Sequence, residues 1–161
     1  MRGRLDTGRV AVTGHSLGGA AALQAAARDR GFAAAVDIDG FPHGPAPRAI
    51  RQPVLALTHD VDQHSDPEYI DRLTKTLDVS RATSYRLTVP GSAHVTFTDA
   101  PLYLPPVPAV VGTQDRTEGP RITAATTLAF LDPILRAKSG SPADALSRYG
   151  GLTVHRPDAA R

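Results

Sequence analysis

The sequence predicts a three-layer α/β/α sandwich around a mostly parallel sheet of about four strands. Short apolar runs alternate along the chain with longer alanine-rich or amphipathic segments, a pattern typical of parallel sheets covered by helices. The length of 161 residues suits one domain. Hydrophobic residues make up 41% of the chain and charged residues 21%, as in ordinary globular proteins with a packed core.

The first half of the chain is predicted as strand, helix, strand and loop. Residues 9–13 (RVAVT) form a short apolar run typical of a buried strand. Residues 17–30 are rich in alanine and predict a helix, which Gly31 ends. Residues 33–38 are a second apolar run, and the proline and glycine in residues 40–52 predict a loop.

In the second half, residues 53–58 are predicted as a strand, a helix is predicted to begin at Ser65, and residues 84–89 are predicted as a further strand. A long loop over 101–120 and a helix over 121–131 are expected to follow. Apolar residues three and four positions apart give the first of these helices one buried stripe, formed by Ile70, Leu73 and Leu77. Pro133 is expected to end or kink the last helix. Because residues 139–161 are weakly patterned, we predict one partial domain over 1–138 and a C-terminal tail over 139–161.

Composition excludes several classes of function. Lys and Arg number 18 against 16 Asp and Glu, so no basic nucleic-acid footprint is expected. The absence of cysteine excludes disulfides, thiolate metal sites and cysteine nucleophiles. No apolar stretch approaches the roughly 18 residues that span a membrane. Residues 1–9 are polar and unlike a signal peptide, so the sequence as written predicts a cytoplasmic protein.

The sharpest local signal is the G-x-S-x-G pattern Gly14-His15-Ser16-Leu17-Gly18. It follows a predicted strand and opens a predicted helix, which is the context of a nucleophile elbow. We expect Gly14 and Gly18 to be required because side chains at these positions would crowd the tight turn. Ser16 is the candidate nucleophile, and the Leu17 N–H at the helix N-terminus is the expected oxyanion-hole donor.

A nucleophilic serine needs a base, and His94 is the best placed histidine. It stands in a loop just after the fourth predicted strand, and catalytic groups of parallel sheets gather at the carboxyl ends of strands. His15 lies inside the elbow and is expected to point away from Ser16. His43 lies in a proline-rich loop and His155 in the tail, so both are weaker candidates.

The third expected residue is an acid that fixes the tautomer of the base. Asp39 ends the second apolar run, and Asp62 follows the third predicted strand, so chain order permits either residue. Strand alternation puts Asp37 on the same side as Asp39, but deeper in the strand, which makes Asp37 a poorer choice.

Three blocks of residues resemble bacterial α/β-hydrolases of the platelet-activating-factor acetylhydrolase type: GHSLGGAAALQAA, AAAVDIDGFPHG and VPGSAHVTFTDAPLYLP. The resemblance covers residues 9–135. It implies Ser16 as nucleophile, Asp39 as acid and His94 as base. Related cutinases and dienelactone-hydrolase-like esterases place the acid after the next strand, where Asp62 stands.

The resemblance implies a serine esterase or lipase that cleaves short-chain or phospholipid-type acyl esters, without cofactor or metal. Enzymes of this fold place further strands and a second oxyanion donor before the nucleophile. Only fifteen residues precede Ser16 here, so the chain is expected to be the C-terminal part of an α/β-hydrolase, truncated at its N-terminus. On that interpretation the chain alone is a weak esterase or an inactive remnant, and the exposed edge of strand 9–13 promotes self-association.

Two further groups of residues are weaker candidates. His59, Asp60, Asp62 and His64 have side chains that suit zinc, although an ordinary polar loop has the same composition. Phe41, Tyr103, Leu104, Pro105 and Pro106 are candidates for an apolar acyl pocket, although simple packing explains them equally well.

Overall fold

The structure, a computed structural model, describes residues 6–45, 47–60 and 67–157. Within these residues the strands form one sheet in chain order: β1 Val10–His15, β2 Phe32–Ile38, β3 Val54–Thr58, β4 Ser84–Thr88 and β5 Gly151–His155. Strands β1 to β4 are parallel, and β5 pairs with β4 antiparallel. This mostly parallel sheet confirms the predicted α/β class.

Helices cover both faces of the sheet: α1 Leu17–Arg28, α2 Pro67–Asp78, α3 Ala100–Tyr103, α4 Pro108–Val111, α5 Glu118–Arg136 and α6 Pro142–Leu146. On one face, α1 and α2 pack on Ala35 and Ala56. On the other, α5 packs Phe130 against Val36 and Leu57. Neighbouring strand residues thus face opposite layers, as strand geometry requires. None of the described helices is long and apolar enough to cross a membrane.

The segment predicted as a weakly patterned tail carries regular structure. Helix α6 inserts Leu146 fully into the core, and β5 adds a fifth strand to the sheet. In β5 only Leu152 and Val154 point toward the core, on the same side of the strand. Two apolar residues between glycines and polar residues are too weak a pattern for recognition as a strand, so the regular structure after residue 139 was not predicted from the sequence.

The last long helix and the long loop also differ from expectation. Helix α5 continues through Pro133 to Arg136. The proline removes only one hydrogen bond near the helix end, and Leu131 and Ile134 still pack against the core. Within the predicted loop 101–120, prolines at the first helical turn begin the short helices α3 and α4.

Strand β1 forms one edge of the described sheet, and β5 forms the other. An edge strand carries backbone groups that have no partner strand on one side, and such groups favour pairing with another chain. Val10 in β1 is also an exposed apolar side chain. Self-association through this edge stays a prediction.

Candidate active site

Ser16 occupies a sharp turn between β1, which ends at His15, and α1, which begins at Leu17. Its φ of 58° and ψ of −125° are uncommon for a residue other than glycine. The turn is held by hydrogen bonds on both sides of the residue. The Ser16 N–H donates to the Ile38 carbonyl at 2.9 Å, and the Ser16 carbonyl accepts from the Gly19 N–H at 2.9 Å. Strained backbone of this kind persists only where the surroundings determine it, and it is common at functional sites.

The glycines around Ser16 are not equivalent. A Cβ on Gly14 would overlap the carbonyl of Gly18, and a Cβ on Gly19 would overlap the carboxylate of Asp37. A Cβ on Gly18 would meet nothing within 4 Å outside its own helix turn. The expected steric need for glycine therefore holds at position 14 but not at position 18. Gly19 takes that role instead, because the Asp37 side chain of β2 lies directly against it.

These contacts predict opposite effects for two alanine substitutions in the same motif. Gly14→Ala should lower the free energy of unfolding by about 1–3 kcal/mol, because the new methyl group collides with backbone that cannot move aside. Gly18→Ala should be neutral or stabilise by up to about 1 kcal/mol, because alanine is the better helix former. Urea unfolding of both variants measures the difference. Equal destabilisation by the two substitutions would contradict this description of the turn.

The structure brings Ser16, His94 and Asp39 into one hydrogen-bonded chain. The His94 Nε2 lies 3.0 Å from the Ser16 Oγ, and the His94 Nδ1 lies 2.7 Å from the Asp39 Oδ2. A carboxylate only accepts hydrogen bonds, so the proton of a neutral His94 is assigned to Nδ1. The Nε2 lone pair then accepts the hydroxyl proton of Ser16. The arrangement can remove a proton from Ser16 while Asp39 balances the charge that develops on His94.

The backbone of His94 is fixed from two directions. His94 begins a short 3₁₀ helix, His94–Phe97, in which the Thr96 hydroxyl accepts from the Ala93 N–H and donates to the Val111 carbonyl. His15 donates from Nε2 to the His94 carbonyl at 2.9 Å, and the two rings lie 4.6 Å apart. Sequence reasoning placed His15 only as a side chain turned away from Ser16. It missed this support, because no sequence pattern reports a contact between positions 15 and 94.

Asp39 is buried and accepts several hydrogen bonds besides that of His94. Its Oδ1 accepts from the His59 N–H at 2.9 Å and from the Tyr69 hydroxyl at 3.0 Å. The His59 Nδ1 lies 2.8 Å from both carboxylate oxygens. Burial raises the pKa of Asp39, but hydrogen bonds from His59 and from His94 lower it below its ordinary value. The carboxylate is therefore ionised at neutral pH despite its burial.

Asp37 lies deeper, as expected, and does not contact the histidines in the described part of the chain. Its Oδ1 accepts the Gly40 N–H at 2.8 Å, while its Oδ2 has no hydrogen-bond partner among the described residues. Burial, with a smaller contribution from the charge of Asp39, raises the pKa of Asp37 well above its ordinary value. This carboxyl group is suited to a structural role beneath the turn of Ser16.

The alternative acid Asp62 lies outside the described residues, as does His64 of the metal candidates. The other two metal candidates, His59 and Asp60, make hydrogen bonds within the protein. His59 contacts Asp39, and the Asp60 Oδ2 accepts the Gly91 N–H at 2.9 Å. Across residues 6–45, 47–60 and 67–157, no group of three or more His, Cys, Asp or Glu side chains is placed to hold a metal ion.

A cavity of about 140 Å³ lies beside His94, lined by Asp39, Phe41, His59, Tyr69 and His94. Phe41 stacks on Tyr69 with ring centres 5.8 Å apart, so one wall is aromatic. Of the acyl-pocket candidates, only Phe41 lines this cavity, and Tyr103 is 82% exposed. Leu17 is the first residue of α1, a position whose N–H has no acceptor within its helix. That N–H is thus available for an oxyanion.

Comparisons with known proteins agree with this architecture. The family described as platelet-activating factor acetylhydrolase, isoform II, matches residues 1–141. The structure is similar to that of a ferulic acid esterase from Streptomyces cinnamoneus, with a TM-score of 0.75 and 27% sequence identity. The similarity covers 94% of this chain and 48% of the esterase chain, so the chain spans about half the esterase's length. The sheet and its helices are those of an α/β-hydrolase, and with 141 of its 161 residues matched the chain belongs to the platelet-activating factor acetylhydrolase, isoform II, family.

Proposed function

We propose that the chain hydrolyses carboxylic esters through an acyl-enzyme, with Ser16 as nucleophile, His94 as base and Asp39 as the orienting acid. The observation that carries the proposal is the unbroken hydrogen-bond path from the Ser16 Oγ through both nitrogens of His94 to Asp39. The strained turn at Ser16 adds support, because it holds the hydroxyl at the carboxyl end of the sheet.

The reaction follows from the positions of these groups. The Ser16 Oγ attacks the ester carbonyl carbon while the His94 Nε2 takes the hydroxyl proton. The tetrahedral oxyanion accepts a hydrogen bond from the Leu17 N–H, aided by the N-terminus of α1. When the intermediate collapses, His94 gives its proton to the departing alcohol and the acyl group stays on Ser16. Water, deprotonated by His94, then attacks the acyl carbonyl carbon and forms a second tetrahedral intermediate. When this intermediate collapses, the carboxylic acid leaves and His94 returns the proton to the Ser16 Oγ.

The substrate that we propose is a short-chain acyl ester, including acetyl esters of phospholipid type. The cavity beside His94, about 140 Å³, is small compared with the roughly 300–1,000 Å³ of sites for drug-sized ligands. The family name refers to an acetylhydrolase, and the similar solved structure is named as a ferulic acid esterase. A small acyl group or a single aromatic ring matches the cavity and its aromatic wall better than a long alkyl chain.

A probe and a chain-length series test this proposal. A fluorophosphonate probe should label the protein at Ser16. p-Nitrophenyl acetate should be hydrolysed with a higher kcat/KM than p-nitrophenyl octanoate, because the cavity beside His94 is small. Phospholipids with acetyl or palmitoyl at the same position then test the phospholipid class. A protein that takes no probe and hydrolyses none of these esters would contradict the proposed activity, and a preference for octanoate would contradict the substrate class alone.

A further inference from the structure

Four neighbouring strands each lead to one polar residue at the same end of the sheet. Ser16 follows β1, Asp39 follows β2, His59 follows β3 and His94 lies in the loop after β4. Because the strands lie in chain order, β3 separates the strand of Asp39 from the strand of His94. The contact between these two residues therefore crosses the end of β3, where His59 stands.

The contacts of His59 converge on the Asp39 carboxylate. The backbone N–H of His59 donates to Oδ1, and the ring Nδ1 lies 2.8 Å from each of the two oxygens. An imidazole nitrogen this close to a carboxylate must carry a proton, so Nδ1 of His59 is a donor. His59 and His94 consequently share one acceptor, Oδ2, at 2.8 Å and 2.7 Å. Both rings therefore contact Oδ2, the oxygen that His94 meets, while the His59 N–H and the Tyr69 hydroxyl reach Oδ1.

The end of β3 also holds the loop that carries His94. The Asp39 N–H donates to the carbonyl of Leu57 in β3, which fixes the backbone of the acid. Asp60, next to His59, donates its N–H to the Ser92 carbonyl, and its carboxylate accepts the Gly91 N–H. Residues 59 and 60 directly follow β3, the strand between those of Asp39 and His94. They thus contact both Asp39 and the loop that carries His94.

We propose that His59 is a positioning residue of the esterase site: its Nδ1–H fixes the Asp39 carboxylate in the rotamer that meets His94. The inference rests on the proposed function, since it assigns a role in the same reaction. Without the ring, the carboxylate keeps its bonds from the His59 backbone and the Tyr69 hydroxyl, which both reach Oδ1. Oδ2, the oxygen that faces His94, loses one of its two described donors, the His59 Nδ1–H, and keeps the bond from His94.

Three substitutions of His59 isolate this donor. His59→Ala removes it and should lower kcat for p-nitrophenyl acetate by about 10- to 100-fold, the range expected for loss of catalytic alignment. His59→Asn places an amide N–H where Nδ1 stands and should restore kcat to within a few-fold of the wild type. His59→Gln places its amide one bond farther from the backbone and should restore little. His59 also lines the cavity, so the change in kcat must exceed the change in KM for a positioning role.

His155→Ala is the matched control. His155 makes an equivalent contact, from Nδ1 to the Asp78 carboxylate at 2.7 Å, where β5 pairs with the first residue of β4 at the opposite end of the sheet. It should leave kcat unchanged even where it lowers the melting temperature. An equal loss of kcat in this variant would mean that losing an imidazole–carboxylate pair acts through stability, and it would overturn the inference.

The remaining outcomes separate the inference from the proposed function. Wild-type kcat in His59→Ala, or a change confined to KM, overturns the positioning role and leaves the esterase proposal standing, provided that Ser16→Ala is inactive. Wild-type hydrolysis in Ser16→Ala, or an inactive wild-type protein, overturns the proposed function and the inference with it. A loss of kcat in His59→Ala, its recovery in His59→Asn and an unchanged kcat in His155→Ala together support the positioning role and the proposed function.

Discussion

Replacing Ser16 with alanine is expected to remove nearly all ester hydrolysis and to abolish fluorophosphonate labelling. Loss of the nucleophile of a serine hydrolase typically costs on the order of 10⁶-fold in kcat. The substitution is clean because Ser16 has a φ of 58°, where serine and alanine carry a similar backbone strain. Alanine keeps the turn, the Ile38 hydrogen bond and the orientation of α1, and it removes only the hydroxyl that faces His94.

The measurement needs a folding control and a second serine. Thermal unfolding of Ser16→Ala should match the wild type, since the backbone contacts of the turn remain. Ser139→Ala, in an exposed segment after α5, should hydrolyse p-nitrophenyl acetate at the wild-type rate. If Ser16→Ala keeps wild-type activity at matched protein concentration, the hydrolysis comes from another group and Ser16 is not the nucleophile.

Strands β1 to β4 and helix α1 could be predicted from the sequence to within two residues, whereas α5 extends beyond the predicted 121–131 at both ends. The predicted strand 53–58 is Val54–Thr58 in the structure, and the predicted strand 84–89 is Ser84–Thr88. Every residue of β3 is buried and is apolar or small, so its run is continuous. In β4, Ser84, Tyr85 and Leu87 are buried, whereas Arg86 and Thr88 are partly exposed. β5 could not be predicted, because a short edge strand needs only two core-facing residues and its partner fixes the rest.

The proximity of Ser16, Asp39 and His94 agrees with a rule that needs no structure, although the rule alone left Asp62 as an alternative to Asp39. Each residue comes directly after an apolar run or in the loop behind one, and parallel strands bring such positions together. His59 gave the same signal, since it follows residues 53–58 immediately. The neighbouring Asp60, Asp62 and His64 made His59 a candidate metal ligand instead, because residues close along the chain form a more visible group than residues close across the sheet.

Tyr69 gave no such signal. It lies in α2, which packs on one face of the sheet, and its hydroxyl reaches Asp39 over a separation of thirty residues. Burial, with the charge of Asp39 as a further cause, raises the pKa of the Tyr69 hydroxyl, so it remains a donor at all ordinary pH values. In the sequence Tyr69 is one of several apolar or aromatic residues on the buried side of a helix, and only the packing of α2 identifies its partner.

Asp39→Asn is expected to lower kcat by about 10⁴-fold, the loss that follows when a triad aspartate becomes an amide. Among residues other than glycine, asparagine and aspartate are the ones that most readily adopt a φ of 53°, so the backbone should be preserved. The side chain cannot be satisfied, because the Asp39 carboxylate accepts from His94, His59 and Tyr69. An amide has a single acceptor oxygen, so its NH₂ group must face one of these donors.

In Asp39→Asn the NH₂ group therefore disrupts either the contact with His94 or the contacts with His59 and Tyr69, and both sets of contacts support His94 as the base. If the NH₂ group faces His94, the ring turns to the wrong tautomer and its Nε2 carries a proton toward Ser16 instead of a lone pair. If the NH₂ group faces His59 and Tyr69, the side chain at position 39 loses the hydrogen bonds that these two residues donate and that hold it in place. Asp62→Asn should reduce kcat far less, and hydrolysis of p-nitrophenyl acetate by both variants decides between them. A larger loss in Asp62→Asn would move the acid to the end of β3, where cutinases and dienelactone-hydrolase-like esterases carry theirs, and it would leave Asp39 as a structural acceptor for His59 and Tyr69.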